Sequence, residues 1–315
     1  NVGGADAFDV VVTDTLPSGF VVPPAGAGLN LRVYDGAGNA VAYTSLSGGL
    51  FGAGIRLNDP SATVGGLPAG RDTGGPIATG ANVVVVVYDL QLADTIAPNS
   101  AQINTGQIAS FAGAEAGPSH PTTGLSDTAT VTSRNVGPAK TIVATSEAHT
   151  SGNSLAIGEI ARYRLAVSLP EGLSTNFQLV DTVPPGLTVL NDGTINVAFV
   201  CNGGAGCISS STLGTTPVLS GNSAITPTTT LAAGAISPAV FSTGTDVTYS
   251  LGDLTNADRD SDTEYVVVEF NALLDNTSVG SNDAGETRTN SVAVRVGGSQ
   301  LATANAPAIT IVEPL

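Results

Sequence analysis

Apolar residues in this chain recur at every second position, in short runs. In 161–170, ARYRLAVSLP, Tyr163, Leu165, Val167 and Leu169 alternate with polar or small residues; Phe177, Leu179 and Val183 do so in 177–183, and Val292, Val294 and Val296 in 290–296. Successive side chains of a strand point to opposite faces, so period two predicts β-strands with one face on a core. Gly, Pro, Asn and Asp bound these runs at the spacing of sandwich strands. The longest apolar run, residues 83–88, is far short of the ~20 residues that a membrane-spanning helix needs. The pattern predicts an all-β chain with few helices. The opening NVGGADAF already reads as domain interior, so any targeting segment is expected outside this sequence.

The runs themselves repeat. Residues 6–20, DAFDVVVTDTLPSGF, recur at 173–187 as LSTNFQLVDTVPPGL, which puts Asp181 opposite Asp14 at a separation of 181 − 14 = 167. VVVVYDLQLAD (84–94) then matches VVVEFNALLDN (266–276), and INTGQIAS (103–110) matches TNSVAVRV (289–296). Two copies are expected, 1–136 and 137–315, with the seam near Gly137. Each is most simply an immunoglobulin-like antiparallel β-sandwich, in tandem. About 40 residues precede the VDTVPPG turn in the second copy, but 13 precede Asp14 in the first. The first sandwich is therefore expected to lack its N-terminal strands and to expose an apolar edge, to be completed by a strand from a neighbouring repeat or an identical subunit. The last residues, 305–315, match the segment that leads into Lys140 and are expected to lead to a next repeat.

Composition narrows the function. Ten basic against 26 acidic side chains give a net charge of −16, which disfavours nucleic acid and direct insertion into an anionic membrane surface. Cys201 and Cys207 flank a Gly-rich stretch with enough slack to pair, and the two histidines, His120 and His149, sit in unrelated polar stretches; a disulfide and an oxidising, extracellular setting are expected. Catalysis with turnover lacks a constellation: no serine elbow, no ligand triad, and aromatic residues at 4%. No cofactor is expected, with calcium the one exception. Asp253, Asn256, Asp258, Asp260, Asp262 and Glu264 alternate oxygen ligands of the kind Ca²⁺ takes, without the Gly and the final spacing of an EF-hand; the other reading is a solvated acidic loop.

The stretches VTDTLPSGF, LVDTVPPGL, GEIARYRLAVSLP and TNSVAVRV resemble the "conserved repeat" domain found in tandem in large bacterial surface proteins. That repeat is similar in turn to the isopeptide-forming domains of fimbrial shaft proteins. The resemblance covers most of both copies and implies an extracellular, cell-surface structural role. It also implies a cross-link from a Lys on the first strand to an Asn on the last, beside an acidic residue.

Parity tests that implication. Asp181 shares a face with Phe177, Leu179 and Val183, and Asn290 shares one with Val292, Val294 and Val296. Lys140, the only lysine in the chain, shares parity with Ile142 and Ala144. Three polar side chains on apolar faces are costly unless they meet. Meeting, they could form a Lys140–Asn290 amide with Asp181 shuttling protons, and Asp14 and Asn104 would be the counterparts in the first copy. Glu269 is the alternative acid, but its parity opposes Val266, Val268 and Phe270, so it is expected to face water. The bland alternative is that Asp14 and Asp181 cap the turn before Pro and that Asn290 satisfies strand-edge backbone. The function expected is a non-catalytic module of a stalk, fibre or filament, the alternative a calcium-dependent adhesin.

Overall fold

A computed structural model of the chain describes residues 6–24, 28–57, 82–150, 152–201, 207–215, 217–276 and 282–313, with the backbone of residues 66 and 67. The described residues are strands, turns and two single-turn 3-10 helices, and none of their helices is long and apolar enough to cross a membrane. The chain divides into two compact units: residues 1–93 with 101–132, and residues 94–100 with 133–315. The segment 94–100, expected in the first copy, belongs to the second unit for a local reason. Leu173 donates its amide to the Ile96 carbonyl (3.2 Å), and Asn99 donates to Arg134 O (3.1 Å). A Cβ on Gly172 would stand 2.6 Å from that same Ile96 carbonyl, so only glycine fits the corner.

In the first unit, strands β1 (Ala7–Thr15), β2 (Arg32–Asp35), β3 (Tyr43–Ser45), β4 (Ile55–Leu57), β5 (Val84–Val87), β6 (Ala101–Ala112) and β7 (Ser126–Thr132) carry the architecture. β1 lies antiparallel between β4 and β6, β3 borders β4, and β7 runs along β6. β2 and β5 form a separate antiparallel pair. Val10, Val33, Leu50, Ile55 and Leu57 make a small core, against which Val12, Val84, Val86 and Tyr88 pack. Val85 and Val87 are exposed on the other face of β5, and among the described residues its edge away from β2 has no paired strand.

In the second unit, β8 (Gly137–Thr145), β9 (Ser154–Ala156), β10 (Ile160–Ser168), β11 (Gly172–Thr182), β12 (Asn196–Cys201), β13 (Val247–Asn256), β14 (Tyr265–Leu274), β15 (Thr287–Arg288), β16 (Ser291–Val296), β17 (Ser299–Asn305) and β18 (Ile309–Val312) build a two-sheet sandwich. One sheet runs β8–β10–β14–β12 and the other β13–β11–β16–β17. The inward sets predicted by alternation meet between them: Tyr163, Leu165 and Val167 with Val266, Val268 and Phe270 from one sheet, Phe177, Leu179, Tyr249, Val292 and Val294 from the other. Cys201 and Cys207 are disulfide-bonded at the end of β12. β18, in the stretch expected to lead to a next repeat, pairs with β9 and β15 and buries Ile309 and Ile311 in this unit's core.

Candidate functional site

The two sheets of the second unit bring Lys140, Asp181 and Asn290 together. β8 contributes the lysine, β11 the aspartate, and the residue just before β16 the asparagine. All three are buried: Lys140 is 3% exposed, Asp181 and Asn290 0%. The Lys140 amine forms a short contact with Asp181 Oδ2 and donates to the backbone carbonyl of Ser291 at 3.1 Å, which places it one residue from Asn290. The Asn290 amide is near enough to Asp181 to favour its ionised form, yet neither Oδ1 nor Nδ2 of Asn290 has a partner in hydrogen-bond geometry; Asp181 Oδ1 also lacks one. Aromatic rings wall the site, with the amine 5.2 Å from the centre of Tyr163 and 5.5 Å from that of Phe270.

Burial sets the protonation. Loss of water pushes the Lys140 amine down to about 8, against the opposing pull of the Asp181 charge. The same burial pushes the Asp181 carboxyl up, against the pull of Lys140. Both shifts favour a proton passing from ammonium to carboxylate, which leaves a nucleophilic amine, a neutral acid and an amide carbonyl in one dry pocket. Tyr163 and Tyr249 are raised by burial first and by Asp181 second, so their phenols stay neutral.

Two expectations are corrected here. Asp181 does not cap the turn before Pro: that turn is closed by Leu187 N donating to Pro184 O (3.1 Å), while the carboxylate turns to Lys140. Glu269 does point away from Lys140, but it is 1% exposed and not solvated. Arg162 and Arg164 of the adjacent strand grip it, Nε to Oε2 at 2.8 Å and Nε to Oε1 at 2.7 Å, Arg164 lying directly opposite in the ladder. Their stems cover the outer sheet face and keep water off the carboxylate.

The first unit repeats the acid and the amide. Asp14 pairs in register with Gly106, and Asp181 with Val292; Asn104 and Asn290 each stand two residues earlier on the partner strand. The turn repeats as well, with Phe20 N donating to Pro17 O at 2.9 Å. The third partner differs. Tyr88 donates its hydroxyl to Asp14 Oδ2 (2.8 Å), and Asn104 Nδ2 donates to both Asp14 Oδ2 (3.1 Å) and Tyr88 Oη (2.8 Å). Asp14 Oδ1 and Asn104 Oδ1 are buried without partners among the described residues. Asp14 and Asn104 line a cleft of about 370 Å³ with Leu50, Val84, Val86 and Tyr88. Burial, then Asp14, pushes the Tyr88 phenol up to about 12. Sequence reasoning missed Tyr88, although the repeat alignment sets it at the place of Phe270.

The acidic run resolves into a smaller set. Asp258, Asp260, Asp262 and Glu264 bring their oxygens within 4.8 Å of one another. Asp253 lies outside that set because β13 continues through it to Asn256; its carboxylate caps the Asn176 amide (2.8 Å) instead. Asn256 supports the cluster, donating Nδ2 to Glu264 Oε2 (3.0 Å) and to Leu169 O (2.9 Å).

No protein-family model and no curated protein matches the chain. Among solved structures it is similar to the pilus backbone RrgB of Streptococcus pneumoniae, at 15% identity over 52% of this chain and 32% of that one, TM-score 0.31. BcpA, the major pilin subunit of Bacillus cereus, matches at 10% identity over 96% of this chain and 69% of that one, TM-score 0.33. The collagen-binding domain of a Staphylococcus aureus adhesin matches at 7% identity over 47% and 87%, TM-score 0.25. The chain thus spans about a third of the pneumococcal backbone structure. TM-scores this low carry no weight for function.

Proposed function

We propose that the chain is a structural module of an extracellular bacterial stalk or fibre, and that its second unit locks itself with an amide between Lys140 and Asn290. The observation that carries this is the burial of the chain's single lysine against Asp181, beside an amide that among the described residues has no partner in hydrogen-bond geometry. The Lys140 amine attacks the Asn290 side-chain carbonyl, and Asp181 takes the amine's proton and delivers it to the departing nitrogen. One C–N bond forms, one breaks, and ammonia leaves. The step happens once per chain. A bond joining the two sheets suits a part under tension. In the first unit, Asp14, Asn104 and the edge of β5 that is unpaired among the described residues await a lysine-bearing strand from a neighbouring repeat or subunit, added by strand complementation. A second reading, a calcium-dependent adhesin, is favoured by the carboxylates of 258–264.

Intact mass tests the cross-link. The full chain should weigh one ammonia less than its sequence, after two hydrogens are subtracted for the Cys201–Cys207 bond. Asp181→Ala should restore that ammonia. A full sequence mass for the unaltered chain removes the cross-link, and retention of the deficit in Asp181→Ala removes Asp181 from its chemistry.

A further inference from the structure

The connection between β13 and β14 holds four carboxylates that the cross-link does not use. Asp258 is 7% exposed and Glu264 3%, whereas Asp262 is half-buried and Asp260 exposed, so the run is solvated on one side only. Each carboxylate that is fixed is fixed by one oxygen and offers the other. Asp258 Oδ1 accepts from the Arg259 amide (2.8 Å), Asp260 Oδ1 from the Asp262 amide (2.9 Å), and Glu264 Oε2 from Asn256 Nδ2 (3.0 Å). Among the described residues Asp258 Oδ2, Asp262 Oδ1 and Glu264 Oε1 are buried with no donor in hydrogen-bond geometry, and Asp262 has only the neighbouring carboxyls of Asp260 and Glu264 to share a proton with. No Lys, Arg or His among the described residues forms an ion pair with any of the four; the nearest in sequence, Arg259, is turned to Asp94 (2.6 and 2.7 Å). Buried carboxylate oxygens facing one another without a counter-charge are costly, and a cation is what would satisfy them.

The donor set says which cation. It is all oxygen and mostly anionic, which disfavours zinc, a metal that takes nitrogen and sulfur in structural sites. Oxygens on opposite sides of one Ca²⁺ are ~4.6–5.2 Å apart, twice the usual bond, and the four ligand atoms here lie within 4.8 Å of one another. Mg²⁺ keeps most of its waters and takes one or two carboxylates rather than four. We infer that Asp258, Asp260, Asp262 and Glu264 hold one Ca²⁺, positioned by Asn256. The ion would act as a clamp. Asn256 and Glu264 also hold the Leu169 backbone, through Nδ2 to Leu169 O and Leu169 N to Glu264 O (2.9 Å each). The Gly172–Leu173 corner, three residues on, receives the segment 94–100. Calcium thus ties the β13–β14 connection to the β10–β11 corner and, through Asp94 and Arg259, to that segment. This inference stands independently of the cross-link.

The test uses the full chain, stripped with a chelator, and Ca²⁺ alone as the probe. Calorimetric titration should give one site per chain, and Ca²⁺ at ten times its dissociation constant should raise the melting temperature while Mg²⁺ at the same concentration does not. The double variant Asp258→Asn, Glu264→Gln should bind at least tenfold more weakly. Its melting temperature in chelator should equal or exceed that of the unaltered chain, since two crowded charges are gone, and the order should reverse when calcium is added. Absence of a calcium response in the unaltered chain at millimolar concentration overturns the site. So does an equal response to magnesium, or a variant that still binds like the parent. A variant that melts lower than the parent even in chelator shows that the carboxylates are structural without the ion, and it counts against the clamp.

Discussion

Replacing Asn290 with Ala separates a cross-linked second unit from an unlinked one by the sign of the effect. If the amide to Lys140 is in place, it closes a chain loop of 290 − 140 = 150 residues. The chain-entropy relation for loops of that length, borrowed from disulfides, gives ~5 kcal/mol of stabilisation, all of which Asn290→Ala removes. If no bond forms, the same change deletes a side chain that is fully buried with both polar atoms unpartnered. Relief of that desolvation is worth ~1–3 kcal/mol for each polar group, set against a small cavity, so the variant would be as stable as the parent or more so. In the variant Lys140 is a free amine against Asp181, as it is in an unlinked parent. Thermal denaturation followed by tyrosine emission is suitable because the chain contains no Trp. A domain of this size shifts its melting point by ~2–4 °C per kcal/mol, so a fall of about 10–20 °C is expected for the second unit. An unchanged or raised midpoint in Asn290→Ala would refute the cross-link and leave the buried amide unexplained.

Three further expectations concern protonation and the outer sheet face. Chain made and kept in denaturant, so that Lys140 and Asn290 have never met, should on first folding lose ammonia at a rate that is flat near neutrality and falls above about pH 8. The reactive pair of neutral amine and neutral acid carries the same single proton as the ion pair, and above the lowered Lys140 value that proton is gone. Stability of the unreacted Asn290→Ala variant should rise with pH from about 8 towards 10.5, because the unfolded amine still binds a proton there and the folded one does not. A rate that keeps climbing above that window would mean Asp181 supplies no proton. Glu269→Gln should keep the ammonia deficit, since its carboxylate lies on the far face of β14 with Arg162 and Arg164. It should also lower stability by ~1–3 kcal/mol, between the values for exposed and buried pairs, because both arginines lose their partner. Loss of the deficit in Glu269→Gln would reassign the acid.

Alternation reads a strand's two faces well and says nothing about what lies over them. The inner faces of β10, β11, β14 and β16 were legible because each packs on the opposite sheet. Parity alone does not fix the face of Lys140, since Val143, on the opposite parity, is apolar too; the structure decides by leaving Val143 39% exposed and burying the lysine. Glu269 was placed on the correct face and in the wrong medium. Its partners are arginines on a neighbouring strand, and the same face of β14 carries a second apolar layer in which Ala166, Val200 and Val267 pack with Ile225; period two carries no trace of either. Asp253 read as part of one acidic loop because composition does not show where a strand ends. The affiliation of 94–100 was illegible for a related reason: it rests on Ile96 meeting Leu173, which are far apart in sequence.

Comparing the two acid–amide pairs explains why one lysine suffices. In both units an aspartate and an asparagine stand in the same register on adjacent strands, and in both the aspartate's Oδ2 is taken. In the first unit the Tyr88 hydroxyl takes it. The residue at that place in the second unit is Phe270, which has no hydroxyl to offer, and there Lys140 takes it instead. Tyrosine and lysine thus alternate as the group that satisfies a buried acid. They are not chemically equivalent. A phenol raised to about 12 keeps its proton and is no nucleophile at neutral pH, whereas an amine lowered to about 8 is neutral often enough to attack. The first pair is therefore satisfied but inert as it stands, and an incoming amine would have to displace Tyr88 from Asp14. Its two unpartnered oxygens, Asp14 Oδ1 and Asn104 Oδ1, are the acceptors that an ammonium entering the cleft would meet.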